Sequence, residues 1–560
     1  MVNVLKRYGL QGEIALLLLA IASYWLSPYY AYIFTSVLVT AITCLSIGVT
    51  TERAGIISLC QVGISGVAAW VTLYLGFNFP QLPVVLILLL SGIASAFVGL
   101  LLILPTLRVR GINLAIITLA FALTINIVLT RIEFPGLMEG YSFELPEWLY
   151  DEYAFLLFTI AVTAFLSRMI VWIEQIPFGA AWFTIRYSER AAASLGIHVS
   201  VSKVSAFTLG AFIAGIAGSL LAMQLGSVTA NNFLPYGSLL IFALAILAHS
   251  RFLAGALIAG MLTWFTPQIL SLLGLGEWKD IADLIFAVGA IYALTKHNQK
   301  TAPHKDAASA VAVNNSPATL STPMVRSTAS TLTLKDISLN YGAVKALDNV
   351  NFSLKQGTVT GLVGPNGAGK SSLVDVISGF TPIKGGNINI DTNPLSSLPA
   401  YQRARMGLRR TFQQGRAVPE LTIRQYVHLA ARNAYDVHLL DEILELLGCP
   451  DKDTLIVQVD VGTRRLVEIA GALMSRPHIL LLDEPAAGMS TMESDRLASV
   501  IRQIPQLFGC SVLLVEHDMA LIRSVCSDLI VLEFGKVIAA GPVEETLQIP
   551  EVVEAYLGAA

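Results

Sequence analysis

The sequence predicts an N-terminal all-α polytopic membrane domain of about 8–10 helices, followed by a C-terminal α/β domain built around a glycine-rich loop. Two observations predict this division. Residues 1–298 carry 26 of the 75 charged side chains of this 560-residue chain, whereas residues 299–560 carry 49. Soluble chains contain about 25% charged residues, and only the second half approaches that value. The second observation is a strand–loop–helix pattern that begins at Val359.

The helices of the first half are predicted from runs of apolar residues. A membrane-spanning helix needs about 20 mainly apolar residues, and too many runs approach this length for all of them to be interior helices of a soluble protein. Several of these runs are short or rich in Gly and Ser, and broken or re-entrant helices are considered near residues 55–66 and 113–121. The predicted spans lie near residues 12–27, 32–50, 60–76, 82–105, 112–131, 154–174, 204–226, 237–250, 253–273 and 278–296.

Loop charges predict the orientation of these spans. Cytoplasmic loops carry an excess of Lys and Arg, which places Lys6 and Arg7 in the cytoplasm. Residues 131–153 contain six acidic residues and one Arg, and fit the outer face. Arg186 and Arg190 then mark a cytoplasmic loop. An even number of crossings returns the C-terminal half to the cytoplasm.

Composition excludes several other classes of protein. The net charge of −3, without a basic tail, gives no support to nucleic-acid binding. Five cysteines without close pairing or metal-ligand spacing predict neither a disulfide framework nor a zinc site. Residues 299–330 are rich in Ala, Ser, Thr, Pro and Asn and predict a flexible linker. The expected domains are therefore 1–298 and 331–560, joined by this linker.

Residues 331–352 predict two strands around a turn at Tyr341-Gly342, and a short buried strand, Val359–Val363, follows them. This strand leads into the pattern G-x-x-x-x-G-K-S and then into an apolar helix. In this setting, backbone N–H groups and the helix N-terminus bind phosphate oxygens. Lys370 reaches the terminal phosphates of a nucleotide, and the hydroxyl of Ser371 binds Mg²⁺. The predicted nucleotide-binding residues of the loop are Gly364, Pro365, Asn366, Gly367, Ala368, Gly369, Lys370, Ser371 and Ser372.

Two further buried strands end in polar residues. Residues 478–484 form a mainly apolar run that ends in Asp483 and Glu484, as is typical of a central parallel strand. Asp483 is predicted to bind Mg²⁺ and Glu484 to polarise the attacking water. Ser511–Val515 is followed by His517, and the carboxyl ends of parallel strands are where α/β sheets bind ligands.

Together these motifs resemble the ATP-binding-cassette (ABC) ATPases over residues 332–558. The resemblance implies that Gln413, in Arg-Thr-Phe-Gln, binds Mg²⁺ and senses the attacking water. It implies that His517 orients the water and the γ-phosphate, and that Tyr341 stacks on adenine. ATP and Mg²⁺ are the expected cofactors, with Glu484, His517 and Gln413 as catalytic residues and Ser371, Gln413 and Asp483 as metal ligands.

A finer resemblance is to importers of branched-chain (hydrophobic) amino acids. Residues 483–489, 515–519 and 554–558 resemble the ATPase of these systems, and residues 30–296 resemble their permease. Residues 184–197 resemble the cytoplasmic coupling helix, which inserts into a groove of the ATPase. The predicted coupling residues are Arg186, Ser188, Glu189 and Arg190.

The resemblance implies one half of an ATP-driven importer, multi-pass in the lipid of a bacterial inner membrane, with its ATPase domain in the cytoplasm. A second permease, a second ATPase and an extracytoplasmic substrate-binding protein are the expected partners. One departure concerns the signature Leu-Ser-x-Gly-Gln, of which residues 459–463 keep only Gly462. Asp460 would place a carboxylate near the phosphate of the opposite ATPase, and like charges repel. We therefore expect the second ATPase to carry an intact signature.

Other functions stay open at this point. An ABC exporter half has the same domain order, although exporters usually have six spans with long cytoplasmic extensions. An ATP-gated channel or regulatory membrane protein is also compatible with the motifs. Within import, the substrate could be another neutral amino acid, urea, a short amide or a small organic acid. Cys60-Gln61 and Ala248-His249 depart from the usual permease residues, a change that can alter the substrate or the packing. The predicted path is apolar and few charges lie within the spans, which favours a neutral or zwitterionic solute.

Overall fold

The computed structural model describes residues 2–109, 111–274, 285–286, 288–289, 292, 330–383, 385–413, 416–489 and 491–557. They form two compact units. The first contains the N-terminal half except for Phe183–Val199. The second contains Phe183–Val199 together with the C-terminal residues. Except for Ser330, the predicted linker lies outside the described residues, so the domain boundaries drawn from the sequence stay predictions.

The described residues of the N-terminal half form helices and no strand, and the predicted all-α class is confirmed. Within the described residues, seven helical segments are long and apolar enough to cross a membrane: Pro28–Arg53, Val84–Thr106, Ile112–Ile132, Glu152–Gln175, Val199–Leu225, Ala230–Leu247 and Leu253–Leu272. The predicted span near 278–296 lies outside the described residues apart from five positions. The helices of this half are α1 (Val2–Ala22), α2 (Pro28–Ile47), α3 (Gln61–Asn78), α4 (Val84–Ile103), α5 (Ile112–Ile132), α6 (Glu152–Gln175), α7 (Pro177–Tyr187), α8 (Glu189–Ser194), α9 (Val199–Leu225), α10 (Pro235–Leu247) and α11 (Leu253–Leu272).

The two predicted helix breaks have different outcomes. Helix α2 continues into a π-helical turn, Gly48–Arg53, and residues 55–60 are not helical before α3 begins at Gln61. In that segment the Leu59 N–H donates to Thr118 Oγ1 at 3.1 Å, which satisfies one of the backbone groups that a break leaves unpaired. The predicted irregularity over 113–121 is wrong, because α5 is continuous. Its only nearby glycine, Gly111, precedes the helix, so nothing interrupts the hydrogen-bond ladder.

Small and hydroxylated residues hold α9 against α3 and α4. A Cβ on Gly218 would collide with the backbone carbonyl of Ser65, so the two helices approach as closely as a glycine allows. The Thr72 hydroxyl donates to Ser219 Oγ at 2.7 Å and lies 2.9 Å from Ser91 Oγ, with all three side chains buried. Small residues and interhelical hydroxyl bonds are the usual means of helix association in membranes.

We predict that Gly218→Ala destabilises the N-terminal unit by about 1–3 kcal/mol, the usual cost of overpacking. The sign is informative, because Gly→Ala inside a helix ordinarily stabilises by up to about 1 kcal/mol. The measurement is the unfolding temperature of the full chain in detergent. Gly237→Ala on α10 is the matched control, since no atom lies within 4 Å of its added Cβ. Equal unfolding temperatures for the two variants would contradict the close approach.

The second unit contains two sheets. One is antiparallel, in the order β2-β1-β4-β5, and includes the two strands predicted on either side of Tyr341-Gly342. The other is six-stranded, in the order β10-β9-β3-β8-β7-β6, and is parallel except for β10. The strands are β1 (Leu332–Tyr341), β2 (Val344–Ser353), β3 (Val359–Val363), β4 (Gly385–Ile390), β5 (Asn393–Pro394), β6 (Leu408–Arg410), β7 (Ile479–Asp483), β8 (Ser511–Val515), β9 (Asp528–Glu533) and β10 (Lys536–Pro542).

The sequences of the parallel strands are nearly continuous apolar runs, because helices cover both faces of such a sheet. Every residue of β3, β7 and β8 is buried. Since β3, β6, β7 and β8 run in the same direction, the residues that follow them meet at one edge. The helices of this unit are α12 (Lys370–Ile377), α13 (Ala400–Arg405), α14 (Ile423–Ala431), α15 (Val437–Leu447), α16 (Val461–Met474), α17 (Thr491–Phe508), α18 (Met519–Val525), α19 (Val543–Thr546) and α20 (Pro550–Leu557).

Candidate functional site

The glycine-rich loop after β3 is held in conformations that only glycine adopts readily. Gly364, Gly367 and Gly369 have φ of 153°, 87° and 103°. Helix α12 begins at Lys370, whose Nζ donates to the carbonyl oxygens of Gly364 at 2.6 Å and Pro365 at 3.0 Å. Burial lowers the pKa of Lys370, and the nearby Glu484 carboxylate opposes this shift. The loop therefore places an ammonium group beside a helix N-terminus, as phosphate binding requires.

Two of the residues predicted to be catalytic, Gln413 and His517, converge on the carboxylate of the third, Glu484. Gln413 Nε2 donates to Glu484 Oε2 at 2.6 Å, and His517 Nε2 lies 3.0 Å from Glu484 Oε1. The two side chains come from different strand ends, after β6 and β8, and each contacts a different oxygen of Glu484. The carboxylate is thus oriented from both sides, while 18% of the side chain remains exposed.

The backbone of Glu484 is strained and is held by an arginine. Its φ of 46° costs a non-glycine residue about 1–3 kcal/mol, which only firm surroundings maintain. Its N–H donates to Val515 O at 2.9 Å, and its carbonyl accepts from Arg465 Nη1 at 2.6 Å. Arg465 Nη2 also donates to Gln413 O at 2.5 Å. One guanidinium therefore fixes the backbone of both Glu484 and Gln413.

The sequence prediction missed Arg465. It lies on α16, on the same helical face as the buried residues Ile469 and Ala472, which follow it by four and seven positions. An arginine on the buried face of a helix predicts that its guanidinium is buried and hydrogen-bonded, and this is the one signal that the sequence gives for Arg465.

The predicted magnesium ligands come from three elements. Ser371 lies in the first turn of α12, Asp483 ends β7 and Gln413 follows β6. Their hydroxyl, carboxylate and amide oxygens are the hard ligands that Mg²⁺ prefers, so this donor set fits the ion. Asp483 Oδ2 accepts from Arg410 Nη2 at 2.9 Å, an ion pair that the sequence motif alone did not predict.

The remaining predicted nucleotide-binding residues flank the loop. Tyr341 ends β1 and is 52% exposed, so its ring is available to a planar base. Ser372 lies in the first turn of α12 and directly follows Ser371 in the sequence. Stacking by Tyr341 and the contacts of Asn366 and Ser372 with nucleotide stay predictions.

The altered signature has a local structural role. Asp460 is the N-cap of α16, with Oδ1 accepting from Thr463 N at 2.7 Å and Oδ2 accepting from Thr463 Oγ1 at 2.8 Å. A Cβ on Gly462 would lie 3.3 Å from Asp460 Oδ1 and 3.4 Å from Glu493 Oε1. Two carboxylates thus flank this helix N-terminus. They stabilise the helix dipole and oppose the approach of another anion.

The segment Phe183–Val199, which includes the predicted coupling residues, packs in the second unit. Ser188 is the N-cap of α8 and its Oγ accepts from Arg416 Nη1 at 2.8 Å. Arg190 Nη2 lies 3.3 Å from Asp375 Oδ2. Of the other predicted coupling residues, Arg186 lies on α7 and Glu189 begins α8.

Arginines of the second unit also bind the backbone of this segment. Arg409 Nη1 donates to Ser194 O at 3.1 Å, and Arg405 Nε donates to Gly196 O at 2.9 Å. The sequence motifs did not predict a role for these two arginines or for Arg416. Their partners are backbone carbonyl groups and one hydroxyl, which no sequence pattern marks.

Beside this segment lies a buried acid. Glu468 on α16 is 5% exposed and accepts the backbone N–H of Arg416. Burial raises the pKa of Glu468 to about 8, although backbone N–H groups of Arg416, Ala417 and Phe412 partly offset the shift. The folded state therefore retains a proton that the unfolded chain releases between about pH 4.5 and about 8.

We predict that Glu468→Gln flattens the pH dependence of stability. Because the native pKa is raised, stability should fall as the pH rises through this window, by up to about 1.4 kcal/mol per pH unit. Gln cannot ionise, so the variant should lose this slope. The measurement is the unfolding temperature of the full chain by calorimetry from pH 5.5 to 7.5. Glu442→Gln, at an exposed position of α15, should keep the wild-type slope, and an unchanged slope in Glu468→Gln would argue against a buried acid.

A glycine-rich loop of the phosphate-binding pattern and an oriented carboxylate, in a chain whose N-terminal half consists of apolar helices, are typical of an ATP-driven membrane transporter. Residues 347–487 match the family model described as "ABC transporter". Residues 29–291 match the model described as "Branched-chain amino acid transport system / permease component". The chain belongs to the ABC transporter family, and it joins a permease domain to an ATP-binding domain in one polypeptide.

Two curated relatives match the ATP-binding domain along almost their whole length. The high-affinity branched-chain amino acid transport ATP-binding protein BraF of Pseudomonas aeruginosa is 34% identical over 254 residues, which cover 41% of this chain and 98% of BraF. Its counterpart LivG of Escherichia coli is 31% identical over 250 residues, with the same coverage. A solved ATP-binding cassette of an ABC transporter, in its ADP conformation, is 27% identical, covers 41% of this chain and 100% of that one, and has a TM-score of 0.37.

These matches give the domains their activities. The C-terminal domain binds nucleotide and hydrolyses ATP, and hydrolysis is coupled to transport through the N-terminal domain. The family prediction made from the motifs is confirmed.

Proposed function

We propose that this chain is one half of an importer for branched-chain or other neutral amino acids in a bacterial inner membrane, with its ATPase domain in the cytoplasm. The observation that carries this proposal is the convergence of Gln413 and His517 on Glu484, at the sheet edge that also bears Lys370, in a chain that contains a permease domain. The names of its relatives support the substrate class.

In the proposed ATPase cycle, each residue at this edge has a physical task. Lys370 and the N–H groups of the glycine-rich loop bind the phosphates, and Tyr341 stacks on adenine. Glu484 accepts a hydrogen bond from the attacking water and polarises it, while Gln413 and His517 keep its oxygens aligned. Bound Mg²⁺, held by Ser371, Gln413 and Asp483, would neutralise phosphate charge. Preorganised polar groups of this kind stabilise charge that develops in the transition state.

The proposed assembly has a second permease, a second ATPase and an extracytoplasmic binding protein that delivers the solute. Two ATPase domains would close on ATP, and closure would move the segment Phe183–Val199 and switch the permease. Such a switch requires that ATP bind the closed state more tightly than the open state. Asp460 and Glu493 make this chain's signature a poor phosphate cap, which favours a partner ATPase with an intact signature.

We expect Glu484→Gln to lower the ATPase turnover of the assembled complex by at least about 100-fold, since positioned general bases typically contribute that much. ATP binding should persist, because Gln keeps the shape of the side chain and its contacts with Gln413 and His517. Turnover is measured by phosphate release and binding by calorimetry. Glu545→Gln, at an exposed position of α19, is the control. Undiminished turnover in Glu484→Gln would remove this residue from the mechanism.

A second variant tests the asymmetry of the two sites. Asp460→Asn should keep the helix cap, because Asn and Asp cap equally well, while removing the charge beside the phosphate. If the site capped by Asp460 is weak or silent, turnover of the complex should change by less than about twofold, or about 0.4 kcal/mol. Loss of turnover as large as that of Glu484→Gln would show that both sites are needed and would end the asymmetric scheme.

A further inference from the structure

Four charged side chains form a chain of alternating sign in the second unit, which we call the arginine–aspartate chain. It runs from Arg190 through Asp375 and Arg410 to Asp483. Arg190 Nη2 lies 3.3 Å from Asp375 Oδ2, Arg410 Nη1 lies 2.5 Å from Asp375 Oδ1, and Arg410 Nη2 lies 2.9 Å from Asp483 Oδ2. One end belongs to the proposed coupling segment, and the other is the proposed magnesium ligand.

The inner part of this chain is shielded from solvent. The side chain of Arg410 is 5% exposed, Asp483 is 11% exposed and Asp375 is 16% exposed. Salt screens interactions between buried charges much less than those at the surface. Breaking a buried pair by removing one partner also leaves an uncompensated charge. A change at Asp375 must therefore alter how Arg410 interacts with Asp483.

Contacts beyond the ion pairs fix the position of Arg410. Its Nη1 donates to Ser378 Oγ at 2.9 Å, and its guanidinium lies over the ring of Phe412 at 4.9 Å and that of Phe380 at 5.8 Å. Arg190 packs over the same Phe380 ring at 5.4 Å. The two arginines thus share an aromatic neighbour as well as an aspartate.

The outer link of the chain is the one suited to change. Arg190 is 52% exposed, and its contact with Asp375 is longer than both inner contacts. Loss of this contact leaves Asp375 with Arg410 as its remaining partner in the arginine–aspartate chain. Arg410 is then attracted more strongly towards Asp375 and less towards Asp483.

We propose that Asp375 and Arg410 are positioning residues that link the contact made by Arg190 to the charge environment of Asp483. When Arg190 is engaged, Asp375 shares its charge between two cations and Arg410 holds Asp483 more firmly. When Arg190 is disengaged, Asp483 is released towards Mg²⁺. This inference rests on the proposed function, in that Phe183–Val199 is taken as the coupling segment. It adds a route to the catalytic edge that does not pass through Gln413.

The test measures Mn²⁺ binding to the purified full complex with a non-hydrolysable ATP analogue, by electron paramagnetic resonance. Arg190→Gln should tighten Mn²⁺ binding, because Arg410 moves its interaction towards Asp375. Asp375→Asn should weaken it, because Arg410 then pairs with Asp483 alone and competes with the metal. Each shift should be at least about threefold, within the usual range for coupled residues. The double variant should match Asp375→Asn, since Arg190 has lost its charged partner.

The opposite shifts in Mn²⁺ binding expected for Arg190→Gln and Asp375→Asn distinguish a positioning role from a merely structural one. Two variants that only loosen the fold would shift Mn²⁺ binding in the same direction, and that result would overturn the proposal, as would shifts that simply add in the double variant. Arg424→Gln is the matched control, because it breaks a more exposed ion pair with Asp453 in the same unit and should leave Mn²⁺ binding unchanged. Arg410→Lys, which keeps the charge but loses the two-pronged contact, should abolish the response to Arg190→Gln.

A second readout distinguishes this proposal from the proposed function. Stimulation of ATPase activity by amino-acid-loaded binding protein should fall at least about threefold in both single variants. If the wild-type complex shows no such stimulation, the proposed import function fails, while the Mn²⁺ shifts still decide the arginine–aspartate chain. If stimulation is normal and Mn²⁺ binding is unmoved in both variants, the chain is a static ion-pair network and the proposal is wrong.

Discussion

The parallel direction of β3, β6, β7 and β8 is the constraint on which the site depends. Because side chains that follow parallel strands emerge at the same edge, four separate stretches of sequence deliver a phosphate loop, an amide, a carboxylate and an imidazole to one place. The strained backbone of Glu484 is a cost of this arrangement. Arg465 and the Val515 carbonyl offset it by binding the peptide groups on either side of the residue.

Arginines organise the space between this edge and the segment Phe183–Val199. Arg405, Arg409 and Arg416 each donate to an oxygen of that segment, so its position is specified by directional hydrogen bonds rather than by apolar burial alone. The planar guanidinium can bridge two acceptors at fixed angles, which a lysine cannot do. Arg410 uses this property to join Asp375 and Asp483. Guanidinium groups therefore bind both the segment Phe183–Val199 and the sheet edge that carries Asp483.

Asp460 departs from the signature motif and yet has a clear structural role. As part of a motif it is a defect, because it replaces a hydroxyl that would face phosphate. In the structure it is a competent helix cap, with both oxygens bound by Thr463. The fold of this ATPase domain is therefore intact, and in the proposed assembly the change would affect the second ATPase, whose nucleotide this helix end would face.

The sequence by itself determined the all-α membrane half, the strands β1, β2, β3, β7 and β8 and the family. These depend on local patterns: apolar runs, and a phosphate loop whose residues are adjacent in the chain. It also predicted the break after α2, but it misjudged residues 113–121, where the polar Thr118 donates to Ala115 O within α5 and the helix stays continuous. Only the tertiary structure decided that Arg465 binds the backbone of Glu484 and that Arg410 bridges Asp375 and Asp483. Most of their partners are tens of residues away in sequence, and the residues around an isolated Arg or Asp do not show which buried group it will meet.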